Sequence, residues 1–291
     1  MRIWRKLTIW AVNFCFKAGD GMKYFYDYFA KEYRAGRKDI LLPAPAAMFR
    51  DIRPGDVKSC RAALKKSFAG GRDGRKVQAL KKLLGEYREY VSCCNDGQAK
   101  DRYNAFVYRY MLETPVGSRA IAAKLGVTRE TVQNYINRCI DEMLVLCMGI
   151  PAVGQPPGDR EEAVGMLVRC SRLFSAMAGD YVFCLFPGQR EQAALEQGRR
   201  ATRRAMGELA GAVEAYSGYC NDEHTCIDTD IRKADILRKC IAGVSPAAIA
   251  EEYGCCQSTV YADIRENERR LAVMMFDIER EDRSTWMESL K

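Results

Sequence analysis

The side chains of this sequence that are best suited to chemistry are polar groups that can bind nucleic-acid bases. Over residues 129–137 they recur three and four positions apart, which is the spacing of one helical face. Arg matches the acceptors of guanine, whereas Gln and Asn match the donor and acceptor of adenine, and all three can also bind phosphate. The residues on this face are Arg129, Glu130, Gln133, Asn134 and Asn137.

No other group of residues supports catalysis, a cofactor or a metal. The chain has a single histidine and contains neither a phosphate-binding Gly-Lys-Ser/Thr loop nor a dinucleotide-binding fingerprint. Neighbouring carboxylates, such as Asp141–Glu142 and Glu251–Glu252, are expected on solvated helix surfaces. One set of residues has the chemistry of zinc ligands, but its spacing matches no common zinc finger, so we interpret its cysteines as structural thiols. That set is Cys220, His224 and Cys226.

The polar face needs a scaffold, and its surroundings have the pattern of two short helices that meet at a glycine. In "IAAKLGVTRETVQNYI", Ala122 is small enough for the two helices to cross, and Gly126 tolerates the positive φ of a sharp turn. Thr128 follows as an N-cap, and Val132 is apolar on the side away from the polar face. This pattern predicts a helix-turn-helix over 118–138, whose second helix would lie in the DNA major groove.

The same skeleton recurs in "IAEEYGCCQSTVYADI", which predicts a second helix-turn-helix over 246–266. Matching residues stand 128 positions apart, and both copies end in an apolar helix. This period is too long for a solenoid and indicates an internal duplication into two related helical domains. The matching positions are Ile121, Ala122, Gly126, Thr131, Val132, Ile136, Val145 and Ile150 in the first copy, and Ile249, Ala250, Gly254, Thr259, Val260, Ile264, Val273 and Ile278 in the second.

The first copy, "AIAAKLGVTRETVQNYINRCIDEML", resembles the promoter-reading helix-turn-helix of sigma factors, which is their region 4. The wider pattern is similar to sigma-like regulators of Firmicutes phages and mobile elements, the ArpU-like late-transcription group. The resemblance covers about residues 100–150 and 230–278 and implies a DNA-binding regulator. The DNA contacts that it implies by position are Thr128, Arg129, Gln133, Asn134, Asn137, Gln257, Ser258, Tyr261 and Arg265.

The second copy departs from this pattern. Cys255 and Cys256 stand where a Val and a capping Ser or Thr are usual, Ala262 offers no hydrogen bond, and Asp263 is expected to face phosphate. Residues 246–291 hold 6 basic and 10 acidic residues. We therefore expect the first copy to be the main base reader, and the second either to bind DNA weakly or to contact a protein.

Charge is unevenly distributed along the chain, whose net charge is +8. Residues 1–92 carry 21 Lys/Arg and 9 Asp/Glu, a surplus of +12, whereas the remainder carries 25 and 29, a deficit of 4. The basic third is either an arm that meets a polyanion or a solvated surface of a helical domain. In the first case its side chains would bind the DNA backbone without reading sequence. The residues expected to do so are Lys65, Lys66, Arg72, Arg75 and Lys76.

The beginning of the chain is rich in aromatic residues. Residues 1–20 resemble a signal peptide, but their apolar run is short, is interrupted by Asn13 and lacks a cleavage site. We interpret them as a helix with inward aromatic side chains, or as sequence upstream of a natural start at Met22. In 23–35 aromatic residues lie beside basic ones, where they either stack on unpaired bases or form the core of an amphipathic helix, and we favour the core.

Nearly every segment has helical periodicity, so we predict an all-α fold. The content of 48% hydrophobic residues and the length of 291 residues suit two domains. The 13 cysteines are odd in number, and the chain is too large for a disulfide scaffold, so they indicate reduced thiols in a cytoplasmic protein with no membrane span. The predicted organisation is a basic aromatic helical extension (1–50), a first helical domain (51–150), a Pro/Gly linker (151–160) and a second helical domain (161–291).

Three functional hypotheses follow from these patterns. The leading one is a transcriptional regulator of phage or mobile-element type that is not an enzyme and reads double-stranded DNA in the major groove. The second is a sigma-like factor that binds RNA polymerase. The third is a protein-interaction or inhibitor protein that uses a helix-turn-helix scaffold to contact protein.

Overall fold

The computed structural model describes residues 25–37, 41–45, 52–70, 74–93, 96–154, 157–221 and 228–276. These residues are nearly all helical, and among them the only β-type pairing is an isolated bridge between Leu42 and Phe276, so the predicted all-α fold is confirmed. The helices are α1 (Lys31–Ala35), α2 (Pro54–Gly70), α3 (Gly74–Ser92), α4 (Ala99–Tyr110), α5 (Ser118–Leu125), α6 (Arg129–Met148), α7 (Arg160–Ser175), α8 (Gln189–Cys220), α9 (Asp228–Ile241), α10 (Pro246–Glu252) and α11 (Gln257–Met275). A π-helix (Phe25–Ala30) and two 3-10 helices (Ile150–Ala152 and Asp180–Leu185) complete the set.

The chain divides into two compact units, and each unit draws on separate stretches of sequence. The unit that we call the basic unit comprises 49–156 and 170–204, and the acidic unit comprises 1–48, 157–169 and 205–291. The basic unit carries 25 Lys/Arg and 14 Asp/Glu, a surplus of +11, whereas the acidic unit carries 21 and 24, a deficit of 3. This division differs from the contiguous domains 51–150 and 161–291 that the sequence predicts.

Buried hydrogen bonds explain why residues 170–204 belong with the basic unit. The buried guanidinium of Arg199 donates to the carbonyl oxygens of Cys147 and Ala178, at 3.2 Å and 2.7 Å. The hydroxyl of Thr202 accepts from the backbone N–H of Ile150 at 2.9 Å. The predicted linker 151–160 therefore starts from an anchored segment, and after 157–169, which belong to the acidic unit, residues 170–204 return to the basic unit.

In the basic unit, α6 is the central helix and packs against α2, α3, α4 and α5. Its residues Met143 to Met148 are all buried, so this end of the helix is surrounded by protein. Its first two turns, by contrast, are buried only at Val132, Tyr135 and Ile136. The end of α6 therefore lies in the core of the unit, whereas its first turns lie at the surface.

In the acidic unit, α11 has the corresponding role and packs against α9, α10 and the π-helix. The ring of Phe25 is fully buried, with its centroid 5.9 Å from that of Tyr216 and 5.6 Å from that of Tyr219. This end of the aromatic segment thus belongs to a core. The predicted helix over residues 1–20 lies outside the described residues, as do Arg72, His224 and Cys226.

The helices of the two sequence copies begin at corresponding positions. The pair α5–α6 begins at 118 and 129, and the pair α10–α11 begins at 246 and 257, so both starts differ by 128 residues. Between the helices of each pair, Gly126 and Gly254 have φ of +66° and +59°, as the sequence predicts for the sharp turn. Only glycine adopts this left-handed conformation without strain.

We expect Gly126→Ala and Gly254→Ala each to lower the free energy of unfolding by about 1–2 kcal/mol, because an L residue pays this cost in the left-handed region. A Cβ atom at either position would meet no other atom within 4 Å, so the loss isolates the backbone conformation. Urea titration followed by circular dichroism measures it.

The matched control is Gly85→Ala on α3, where a Cβ also meets nothing within 4 Å but the backbone is helical. This substitution is expected to stabilise the protein by about 0.5–1 kcal/mol. Equal effects at Gly85 and Gly126 would contradict the role of the positive φ.

Candidate nucleic-acid interface

The first helical pair, α5 and α6, is held by a capped turn with an apolar crossing. Ile121 and Val132 are fully buried, and Ala122 is 9% exposed where the helices meet. The Oγ1 atom of Thr128 accepts a hydrogen bond from the backbone N–H of Thr131 at 3.1 Å, so Thr128 is the N-cap. The start of α6 is therefore fixed by local bonds.

The predicted contact residues of the first pair lie at the surface of the first turns of α6. Thr128, Arg129, Gln133 and Asn134 are exposed, and Asn137 is half-buried. Gln133 Nε2 donates to Asn137 Oδ1 at 3.3 Å, so two of these amides already hold one another on the same face. The arrangement offers a guanidinium and three amides for hydrogen bonds to an outside partner.

A buried ion network holds α6 against α4. Arg102 of α4 is 2% exposed, and its Nη2 and Nη1 atoms lie 3.2 Å from Glu142 Oε1 on α6 and 2.8 Å from Asp96 Oδ2. Tyr87 of α3 donates from its hydroxyl to Glu142 Oε2 at 2.6 Å. Burial disfavours the charge of Arg102, but Glu142 and Asp96 outweigh burial and raise the pKa of the guanidinium.

This network is a site that the sequence analysis missed. The expectation that Asp141–Glu142 is a solvated pair is wrong for Glu142, whose side chain is 14% exposed. Asp141 lies nearer the surface and pairs with Arg61 at 2.5 Å. A carboxylate on a helix looks the same in sequence whether it faces water or a buried arginine, because the partner comes from another helix.

Exposed basic side chains lie on several helices of the basic unit. On α5, Arg119 and Lys124 are exposed. The exposed basic side chains of α2 and α3 are together what we call the basic face, and the only exposed acid in the described part of these two helices is Glu89. The basic face consists of Lys58, Lys65, Lys66, Arg75, Lys81, Lys82 and Arg88.

The acidic residues of α2 and α3 are largely used inside the unit. Asp56 is buried and pairs with Arg190, and Glu86 accepts a hydrogen bond from the hydroxyl of Tyr181 at 2.5 Å. Lys65, Lys66 and Lys81 form no ion pair with any residue that the structure describes. The outer charge of these helices is therefore not neutralised by their own acids.

The second helical pair, α10 and α11, exposes a different surface. Its predicted contact residues Gln257, Ser258 and Arg265 are exposed, and Tyr261 is 47% exposed. Glu252 stands 128 positions after Lys124 and so puts an acid where the first pair has a base. Glu251 is exposed, and Glu252 is exposed but ion-paired with Lys239 of α9.

The expectation that Asp263 faces phosphate is wrong. Asp263 is 6% exposed, and its Oδ2 atom lies 3.0 Å from Arg232 Nη2 on α9. Its counterpart in the first copy, Tyr135, is buried too, so this position of the second helix faces inward in both pairs. The partner on α9 is what the local sequence does not reveal.

The cysteines are free thiols at all ten positions that the structure describes. Burial raises the pKa of Cys60 to about 12 and that of Cys220 to about 11, and it also raises the pKa of Cys139 and Cys147. Within the described ranges no group of three His, Cys, Asp or Glu residues could hold a metal ion. None of the described helices combines the length and the apolar character that crossing a membrane requires.

No family model, curated protein or solved structure matches this chain. The features that bear on its function are the two helical pairs, the basic face and the charge of each unit.

Cys256 is the thiol that we expect to react most readily. It is the N-cap of α11, where hydrogen bonds with the hydroxyls of Ser258 and Thr259, at 2.9 Å and 3.1 Å, lower its pKa to about 7. Its alkylation rate with iodoacetamide is expected to rise about tenfold between pH 6 and pH 8 and then to level off, because only the thiolate reacts. Mass spectrometry of timed samples of the folded protein measures this rate.

Cys240 is the control in the same unit, since burial raises its pKa to about 11. Its rate should be low and should still increase above pH 8. A Cys256 rate that also keeps increasing above pH 8 would show that its neighbours do not stabilise the thiolate.

Proposed function

We propose that this protein is a sequence-specific DNA-binding regulator that is not an enzyme and that reads duplex DNA through the first helical pair. The observation that carries the proposal is the face of α6. It exposes Arg129, Gln133 and Asn134 in its first turns, while the far end of the helix is buried and fixed by the Arg102–Glu142 ion pair. A second helix with a polar outer face and a rigid base can enter a major groove.

The basic face is proposed to grip the DNA backbone. Its lysines and arginines lie on α2 and α3, which belong to the same compact unit as the first helical pair. Contacts with phosphates release counterions and add affinity that is independent of sequence. Base reading and backbone binding would thus be provided by a single unit with a surplus of positive charge.

The second helical pair is proposed to have a minor role in DNA binding or to contact protein. Glu251 and Glu252 would face the phosphates if α10 approached DNA as α5 does. The exposed ring of Tyr261 stands at the position of Gln133 and offers contact area to a protein. The resemblance to phage late-transcription regulators supports a bacterial phage or mobile element as the setting and the cytoplasm as the compartment.

The first test concerns base reading. Selection of bound duplexes from random DNA supplies a preferred site, and Gln133→Ala and Asn137→Ala are then titrated against this site and against random duplex. Each variant is expected to lose about 1–3 kcal/mol of binding free energy at the preferred site, because hydrogen bonds to base edges are removed, and little on random DNA.

The matched control is Gln197→Ala, which removes an exposed amide from α8 elsewhere in the basic unit and should leave both affinities unchanged. Equal losses on both duplexes for Gln133→Ala would mean that α6 does not read sequence. Failure of the wild-type protein to bind any duplex at low salt would favour the protein-interaction hypothesis.

The second test concerns the backbone. Replacing Lys65, Lys66 and Arg75 of the basic face, and the half-buried Lys76 beside them on α3, together with Gln is expected to weaken binding to preferred and random duplexes alike. The slope of log K against log salt concentration should become shallower by up to about 3–4, since each lost phosphate contact contributes about 0.9. Fluorescence anisotropy across a salt series measures both quantities.

The control for this variant is Lys31→Gln with Arg238→Gln, which removes exposed positive charge from the acidic unit. This double variant should keep the wild-type salt slope. A loss confined to the preferred duplex in the four-site variant would contradict a purely electrostatic role for the basic face.

The sigma-like alternative predicts an additional partner. A sigma-like factor would retain purified core RNA polymerase in a pull-down and would support transcription from a promoter with purified components. Binding to DNA without retention of polymerase would favour a regulator that acts alone on its site.

A further inference from the structure

The two copies hold corresponding charge networks with opposite signs, each built around a buried arginine. In the first copy an arginine of α4 pairs with a glutamate of α6, and in the second an aspartate of α9 pairs with an arginine of α11. A third charged residue, one turn earlier on α6 or α11, pairs with its neighbour and has the opposite sign. The first network also includes Asp96, which pairs with Arg102, and the second includes Lys233 of α9, 3.7 Å from Asp230 and 3.2 Å from Glu266. Counterparts stand 128 residues apart, which is the period of the repeat: Arg102 and Asp230, Arg138 and Glu266, Glu142 and Arg270.

The ion-pair distances in the two networks are also similar. The pair between helices measures 3.2 Å for Arg102–Glu142 and 3.1 Å for Arg270–Asp230. The pair along the second helix measures 3.2 Å from Arg138 to Glu142, and its counterpart in the second copy measures 2.7 Å. The arginines that join the helices, at 102 and 270, are 2% and 3% exposed.

A tyrosine from another helix completes each network and follows the inversion. Tyr87 donates its hydroxyl hydrogen to Glu142 at 2.6 Å, whereas the hydroxyl oxygen of Tyr216 accepts from Arg270 at 2.9 Å. A phenol can serve either sign because its oxygen both donates and accepts. The charges are thus inverted, while in both copies a tyrosine hydroxyl bonds to the network residue of α6 or α11.

Apolar residues do not distinguish the copies in the same way. Val132 and Val260 are both fully buried, and the six residues from position 143 of α6 are buried, as are their counterparts from Leu271 to Phe276. The second helices of both copies thus bury an apolar segment at matching positions. Hydrophobic burial alone would let a first helix pack on the wrong second helix.

We infer that the inverted networks determine which helices pair and thereby prevent helix exchange between the two copies, within one chain or between two chains. If α4 packed on α11, Arg102 would face Arg270, and if α9 packed on α6, Asp230 would face Glu142. Such pairing would place like charges side by side in a buried site, where Arg102 would keep only Asp96 and Arg270 would keep Glu266. Each correct pairing instead joins opposite charges across the two helices. This inference does not depend on DNA binding.

The test gives both copies the same polarity. The matched-polarity variant carries Arg102→Asp, Arg138→Glu and Glu142→Arg, with Asp96→Asn so that no uncompensated acid remains beside them. Wild type and variant are unfolded in urea with reductant and refolded by dilution at several protein concentrations. Size-exclusion chromatography then gives the fraction recovered at the wild-type size.

The fraction of the variant recovered at the wild-type size is expected to be at least about twofold lower than that of the wild type. The difference should grow with protein concentration, because exchange between chains is second order. The lost material should elute as larger species. Inverting the second copy instead, with Asp230→Arg, Lys233→Gln, Glu266→Arg and Arg270→Glu, should have the same effect, since polarity is again matched.

The control combines both sets of substitutions, so that the copies again have opposite polarity. It carries twice as many changes, but its recovery is expected to return to that of the wild type. Wild-type recovery by either matched-polarity variant would overturn the inference. The inference would also be overturned if the combined variant were recovered as poorly as the two matched-polarity variants, because local damage would then explain the loss.

Discussion

The buried contact between Arg102 of α4 and Glu142 of α6 is the constraint on which the candidate interface depends. Apolar packing holds α6 in place, but it tolerates sliding and rotation, since dispersion and burial have little direction. A guanidinium 2% exposed must keep its partners, because an uncompensated buried charge costs about 3–5 kcal/mol. The rotation of α6 is therefore set from its buried end. A helix that presents Gln133 and Asn137 to a partner needs this fixed rotation.

The local features of the fold could be predicted from the sequence, because their causes lie within a few residues. The positive φ of Gly126, the N-cap bond of Thr128 and the helix start at Asp159, whose Oδ1 accepts from the N–H of Glu162 at 2.7 Å, all follow from short-range geometry. The surface position of Gln133 also follows from helical spacing.

The remaining features depend on partners that are distant in the chain. Asp263 is buried because Arg232 of α9 reaches it, and Glu142 is buried because Arg102 and Tyr87 reach it. The division into units has the same origin, since residues 170–204 return to the basic unit through bonds such as that from Ile150 to Thr202. Helical periodicity predicts poorly whether a charged residue is exposed or buried, because a charged side chain can lie on either face of a helix.

The two copies show how a duplicated element can keep its frame and change its surface. The turn glycine, the crossing alanine and the buried valine are the same in both, so the backbone geometry is retained. The outer faces differ in sign, with Lys124 in one copy and Glu252 in the other, and the surplus of +11 in the basic unit contrasts with the deficit of 3 in the acidic unit. Polyanion binding needs positive charge on the outside, whereas helix pairing needs complementary charge on the inside. With the buried charges inverted in one copy, each first helix still finds opposite charge on its own second helix. The exposed residues of the two copies can then differ without changing which helices pair.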